Sequence, residues 1–173
     1  MTKAVFTGSF DPVTYGHLDI ITRGLTVFDE LVIGIATNHG KSGLFNTEMR
    51  LRLLEETLAA ELAEVDRPRV QCVVIPGLVA QYAHEVGANA ILRGVRTQGE
   101  FERESSMALL NRRLAGVETV ILPTTPELGV VSSSVVKEIA KFGGDLTGFV
   151  PPLVARAVIA KLGESTMNEQ ELV

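Results

Sequence analysis

A glycine-bearing turn that runs into a histidine is the first place where this chain could do chemistry: Thr7-Gly8-Ser9-Phe10-Asp11-Pro12-Val13-Thr14-Tyr15-Gly16-His17, followed by the helical pattern Leu18-Asp19-Ile20-Ile21. Gly8 lets the backbone turn sharply and approach a ligand with no side chain in the way. Ser9 adds a hydroxyl and an amide beside that turn. Gly16 and His17 fall at a helix start, where unpaired N–H groups and the positive end of the helix dipole attract phosphate. An imidazole there can donate a hydrogen bond to a phosphate oxygen. Alone, such a histidine is ordinarily a surface or capping group. The glycines, the serine and the position after a strand make this one a candidate phosphate ligand.

A second constellation comes late in the chain, in Val131-Ser132-Ser133-Ser134-Val135-Val136-Lys137-Glu138. Three hydroxyls at a helix start read by themselves as a cap. Paired with the first turn, they read as a second phosphate-binding helix end. Between the two lies Ile91-Leu92-Arg93-Gly94-Val95-Arg96, which sets two guanidinium groups at a strand end. The three histidines, His17, His39 and His84, have no metal-binding spacing. The single cysteine, Cys72, excludes an internal disulfide and sits in the strand-like run Val70-Gln71-Cys72-Val73-Val74-Ile75, where an inert packing role is expected.

These groups need a frame, and the hydropathy pattern supplies one. Strands are expected at 3–7, 30–37, 69–75, 89–93 and 118–123. Helices are expected at 16–27, 46–62, 78–86, 100–114, 133–142 and 151–162. Parallel neighbours need crossovers and those crossovers are helical, so the alternation predicts an α/β fold: a Rossmann-like, doubly wound, five-stranded parallel sheet with helices on both faces. Ligands of such sheets bind beyond the carboxyl ends of the strands, where strand order reverses. The candidate residues all follow strands. No linker divides the chain, so residues 1–163 are expected to form one domain, with 164–173 a polar, disordered tail.

Composition bounds the function. With 173 residues, 46% hydrophobic and 21% charged, the chain can bury a sizeable core. Its formal net charge of -5 argues against a broad nucleic-acid surface, though a nucleotide needs only a few local cations. No apolar run approaches the roughly 20 residues of a membrane span. The start, Met1-Thr2-Lys3-Ala4-Val5-Phe6, has no signal-peptide pattern, so a soluble cytoplasmic protein is expected.

The first turn resembles the nucleotidylyltransferase superfamily, whose signature is a strand, a Gly-x-Phe-Asp-Pro turn and a [His/Thr]-x-Gly-His helix start. Thr14 stands at the first histidine, the form seen in bacterial phosphopantetheine adenylyltransferases. Further along, Arg93-Gly94-Val95-Arg96, the segment Glu100-Phe101-Glu102-Arg103-Glu104 and Met107-Ala108-Leu109-Leu110-Asn111-Arg112 match that family's middle. Asn38 through Lys41 with Leu44-Phe45, the serine run, Lys141 to Asp145 and Val150-Pro151-Pro152 match the rest, over residues 3 to about 162.

The resemblance implies reversible transfer of the adenylyl group of ATP to 4'-phosphopantetheine, giving dephospho-CoA and pyrophosphate, without a covalent enzyme intermediate. It implies that His17 stabilises the transition state and that Lys41 binds the incoming phosphate and assists at the α-phosphate. Arg93 would bind the acceptor phosphate, where a planar fork suits phosphate geometry. Ser9, Val79 and Leu78 would line the pantetheine site. ATP would meet Ser9, Phe10, His17, Gly94, Val95, Arg96, Glu104 and the run Leu128, Gly129, Val130, Val131, Ser132, Ser133 and Ser134. Mg2+ would ride mainly on the ATP phosphates, with no protein metal cluster. A homohexamer and inhibition by CoA are likewise implied. The chain departs from the family at Arg103 and at Leu128-Gly129-Val130, where aromatic surface for the base is usual. A related nucleotidyltransferase with another phosphate acceptor, and a non-catalytic nucleotide-binding module, are the competing readings.

Overall fold

The computed structural model describes residues 1–36 and 43–170, with side chains as far as Gly163. Five strands form one parallel sheet: β1 (Lys3–Gly8), β2 (Glu30–Ala36), β3 (Val70–Ile75), β4 (Ala90–Val95) and β5 (Glu118–Pro123), in the order β3-β2-β1-β4-β5. Among the described residues, six helices connect and cover them: α1 (Tyr15–Val27), α2 (Thr47–Glu61), α3 (Val79–Glu85), α4 (Gln98–Ala115), α5 (Ser133–Lys141) and α6 (Pro152–Gln170). Short 3-10 turns occupy Arg67–Arg69 and Pro126–Leu128.

The central strands are apolar nearly end to end because both of their faces are covered. Alternation still sorts their side chains. Ala4, Phe6, Leu31, Ile33, Ile35, Ala90 and Leu92 join the larger core with α1, α2 and α6. Val5, Val32 and Ile91 point the other way, into a smaller core with Ala80 and Ala83 of α3. Residue 93 shares the parity of residue 91, so Arg93 leaves β4 on the face of the smaller core. Cys72 is half-buried on β3, and burial, with the charge of Glu55 adding, pushes its thiol up to about 12. That suits the inert role expected of it.

Helix starts follow the capping residues. Thr14, Asn46, Thr97 and Ser132 each accept a hydrogen bond from a backbone N–H inside the first turn of α1, α2, α4 and α5. The left-handed Gly116 (φ 70°) closes α4. Most boundaries shift by one or two residues from the sequence expectation, and the last helix shifts furthest. α6 continues to Gln170, past the expected domain end at 163. Once its first turns are docked, each added residue gains a backbone hydrogen bond without a new nucleation cost, and no proline interrupts it.

From β1 the chain builds β2 and β3 on one side and β4 and β5 on the other. The crevice of such a sheet therefore opens beyond Gly8 of β1 and Val95 of β4.

Candidate active site

A cavity of about 310 Å³ lies at that crevice. Gly8, Thr14, Gly16 and His17 line it from the β1–α1 turn, and Arg93, Gly94 and Arg96 from the end of β4. Glu100, Arg103 and Glu104 enter from α4, and Val131, Ser132, Ser133 and Ser134 from the start of α5. Three widely separated sequence segments thus meet in one place.

The β1–α1 turn is fixed from below. Phe10 takes a left-handed backbone (φ 45°) that is unusual for a large side chain, and its ring is buried. That ring packs edge-on to Phe6 (centroids 5.7 Å apart, 83° between planes) and lies 4.8 Å from the His17 ring. Asp11 accepts hydrogen bonds from the amides of Leu44 and Phe45, each at 2.9 Å, and from Lys137 Nζ at 3.2 Å. One buried carboxylate thereby ties the turn to the chain before α2 and to α5.

Thr14 caps α1 and also sets the state of His17. The Thr14 N–H donates to His17 Nδ1 at 3.0 Å, and the Thr14 hydroxyl lies 3.0 Å from the same nitrogen. A backbone N–H can only donate, so Nδ1 carries a lone pair and the neutral ring holds its proton on Nε2. Burial, then the charges of Arg96 and Arg93, lower the His17 pKa from 6.5 to about 4. The cavity therefore contains a neutral imidazole with Nε2–H as its remaining polar group.

Each arginine at the end of β4 has a carboxylate partner on α4. Arg93 Nε and Nη2 donate to Glu104 Oε2 and Oε1 at 2.7 and 2.8 Å, while Nη1 donates to the Thr7 carbonyl at 2.7 Å and to its hydroxyl at 3.0 Å. Arg96 pairs with Glu100, and its Nη1 donates to the Val131 carbonyl at 3.2 Å. Burial works to raise the Glu100 pKa, but the hydrogen bonds and charge of Arg96, with the charge of Arg103, outweigh it and hold the carboxyl below its ordinary range.

At α5, the three serines divide their work. Ser132 Oγ accepts from the Val135 N–H at 3.2 Å, and Ser133 Oγ donates to the Pro12 carbonyl at 2.7 Å. Ser134 is exposed, at the mouth of the helix start. The bland reading of the run as a cap is right for Ser132 and leaves the start of α5 facing the cavity.

Other residues named from the sequence fall elsewhere. Ser9 is exposed beside the cavity, and its carbonyl accepts from Arg50 Nη1 at 3.0 Å. Phe10 and Val95 are buried supports. Val79 packs against the smaller core, and Leu78 is exposed. Leu128 lines a separate cavity of about 470 Å³ with Tyr15, Leu18 and Asp19; Gly129 and Val130 line neither. The N–H groups of Leu128, Gly129 and Val131 are used inside the 3-10 turn, on the carbonyls of Thr125, Pro126 and Leu128. Lys41 lies outside the described residues. Three supports were not singled out from the sequence. Asp11 and Lys137 pair across 126 positions, which no local pattern announces, and Glu100 differs in no visible way from other helix-start glutamates.

Among the described residues, no group of three or more His, Cys, Asp or Glu side chains could hold a metal ion. The cavity carboxylates Glu100 and Glu104 are engaged by arginines, and Asp11 by amides and Lys137.

Comparison with known proteins identifies the family. The cytidylyltransferase-like family model matches residues 5–139. A phosphopantetheine adenylyltransferase of Caldanaerobacter subterraneus subsp. tengcongensis is 45% identical over 166 residues, covering 95% of this chain and 100% of that protein. Those of Thermotoga neapolitana (48% over 162 residues, 93% and 97% covered) and Nocardioides sp. (46% over 162 residues, 94% and 98% covered) are similar. Among solved structures, a candidate nicotinate-nucleotide adenylyltransferase from Vibrio parahaemolyticus has a TM-score of 0.64 at 15% identity, covering 94% of this chain and 95% of that one. Plasmodium falciparum nicotinic acid mononucleotide adenylyltransferase, complexed with NaAD, has a TM-score of 0.61 at 12% identity, with 97% of both chains covered. At such identities these structures establish the shared fold.

Proposed function

The chain belongs to the phosphopantetheine adenylyltransferases of the cytidylyltransferase-like family, and on that footing we propose how its cavity performs their reaction. The enzyme transfers the adenylyl group of ATP to 4'-phosphopantetheine, giving dephospho-CoA and pyrophosphate, a step in coenzyme A biosynthesis. An oxygen of the acceptor phosphate attacks the α-phosphorus of ATP. The bond from that phosphorus to the bridging oxygen of the β-phosphate breaks, and pyrophosphate leaves with its electron pair. Little covalent work falls to the protein, so catalysis rests on positioning and on donors aimed at the developing charge.

His17 is the transition-state donor. His17 lines the cavity, and with Nδ1 held by Thr14 its Nε2–H is the donor left for a ligand. A neutral imidazole keeps that proton and stabilises charge by hydrogen bonding without an exchange of state. Arg93, at the end of β4, holds the acceptor phosphate, assisted by Lys41. Arg96 and the start of α5, with Ser133 and Ser134, hold the triphosphate of ATP. Gly8 and Gly16 let phosphates approach the backbone, and Ser9 contacts the substrates beside them. Arg103 offers a guanidinium plane to the base. Mg2+ carried by ATP would supply further charge compensation to the triphosphate beside Arg96 and the start of α5.

One observation carries this reading: a single cavity brings together a neutral histidine donor, the start of α5 and the strand-end arginines. ATP binding through these residues, a homohexamer, CoA as inhibitor and a cytoplasmic location complete the proposal. Among the described residues, no helix is long and apolar enough to cross a membrane. The direct test mixes the protein with Mg2+, ATP and an acceptor and follows pyrophosphate. Release is expected with 4'-phosphopantetheine and not with nicotinate mononucleotide or glycerol phosphate. The reverse pattern would point to a different acceptor, and no release with any acceptor would mean a binding module.

A further inference from the structure

A guanidinium has five N–H bonds, and Arg93 has already placed four of them. Nε and Nη2 meet the two Glu104 oxygens side-on, at 2.7 and 2.8 Å. Nη1 holds the carbonyl and the hydroxyl of Thr7 at 2.7 and 3.0 Å. That leaves one N–H, on Nη2, for a ligand. The group is fastened to β1 on one side and to α4 on the other before any phosphate arrives. The pair is well sheltered, with side chains 28% and 15% exposed for Arg93 and Glu104.

We propose that Glu104 is a positioning residue that acts on the acceptor phosphate through Arg93, although the family pattern places it among the ATP contacts. The inference rests on the reading of Arg93 as the acceptor-phosphate ligand. Two roles are physically open to a carboxylate so placed, brace and competitor, and energetics separates them. If phosphate took over the side-on edge of Arg93, Glu104 would be left as an unpaired, sheltered anion beside a second anion. Breaking such a pair is strongly unfavourable, because one charge stays buried without compensation. Glu104 therefore stays in place while Arg93 meets the phosphate with its remaining Nη2–H and its charge. The brace removes rotamer freedom that a free arginine would lose on binding. It also couples the acceptor site to α4, since Glu104 belongs to that helix.

The experiment is a double-mutant cycle with Glu104→Ala and Arg93→Ala, reading KM for ATP and for 4'-phosphopantetheine by pyrophosphate release, and the binding of each substrate alone by calorimetry. Glu104→Ala is expected to raise the acceptor KM about tenfold or more, the scale of losing hydrogen bonds to a charged group, with the ATP KM close to wild type. In the Arg93→Ala background, removing Glu104 should change acceptor binding hardly at all. Glu104→Gln, the same shape with one acceptor oxygen kept, should give a smaller loss of the same kind, and it is the variant to read if the alanine protein melts early. A larger effect on ATP than on the acceptor, a loss that persists without Arg93, or tighter acceptor binding by Glu104→Ala would each overturn the proposal. An unchanged acceptor KM in Arg93→Ala would overturn the reading of Arg93 as well.

Discussion

At the scale of single residues, the most consequential fact is that His17 is held neutral. Burial decides this first and the charges of Arg96 and Arg93 add to it, while Thr14 spends a backbone N–H on Nδ1. A proton titration of the ligand-free protein, followed by NMR of the His17 ring, should give a midpoint of about 4. A midpoint at the ordinary 6.5 would remove the basis for a fixed neutral donor. The linkage has a definite sign. Between pH 4 and 6.5 the unfolded chain binds more protons at this residue than the folded one. Its contribution therefore makes stability rise with pH through that window, and stability falls as pH drops from 6.5 toward 4. His17→Ala should lower the turnover rate by about 10²-fold or more, the effect of losing one preorganised donor. Michaelis constants should change far less. Near-normal turnover in that variant would take His17 out of the mechanism.

At the scale of elements, the site depends on how closely α1 approaches β4. Gly94 makes that approach possible. A Cβ at this position would lie 2.6 Å from Ile20 Cγ1 and 3.0 Å from its Cδ1, and Ile20 is fully buried. Gly94→Ala should cost about 1–3 kcal/mol through overpacking, measured by urea denaturation, and should lower turnover because α1 carries His17. An alanine variant with wild-type stability would show that the contact has slack. The same elements show what could be read from the sequence. Strand and helix positions were legible because buried parallel strands are apolar runs and because Asn46 and Ser132 are capping types at helix starts. His17, Arg93, Arg96 and the serines were legible as a site because each follows a strand or opens a helix. Arg93–Glu104 and Asp11–Lys137 were not, because each joins a helix to a separate strand or turn, and such a pairing leaves no periodic trace. Leu128, which the resemblance puts among the ATP contacts, lines the neighbouring cavity in this ligand-free chain.

At the scale of the whole molecule, α4 is a long helix that the chain itself leaves uncovered along one side. It has 18 residues, and among the described residues none of them is buried. Met107, Leu110 and Leu114, at spacings of three and four, form an apolar stripe 43%, 45% and 49% exposed. Such a stripe, with Leu109 exposed beside it, suits packing against another copy of the chain, and the proposed hexamer would cover it. The stripe lies beside the face that carries Glu104, so the neighbour's packing would also steady the helix that aims Arg93. Leu110→Glu places a charge in the middle of the stripe without touching the core of the single chain. Sedimentation should show the wild type as a hexamer and the variant as smaller species. Turnover per chain should then fall mainly through a higher acceptor KM, because α4 loses its backing while His17 and α5 keep theirs. A monomeric wild type would end the argument at its first step. A variant that stayed hexameric would mean that the assembly uses another face, and a dissociated variant with an unchanged acceptor KM would mean that α4 holds Glu104 without a neighbour's help.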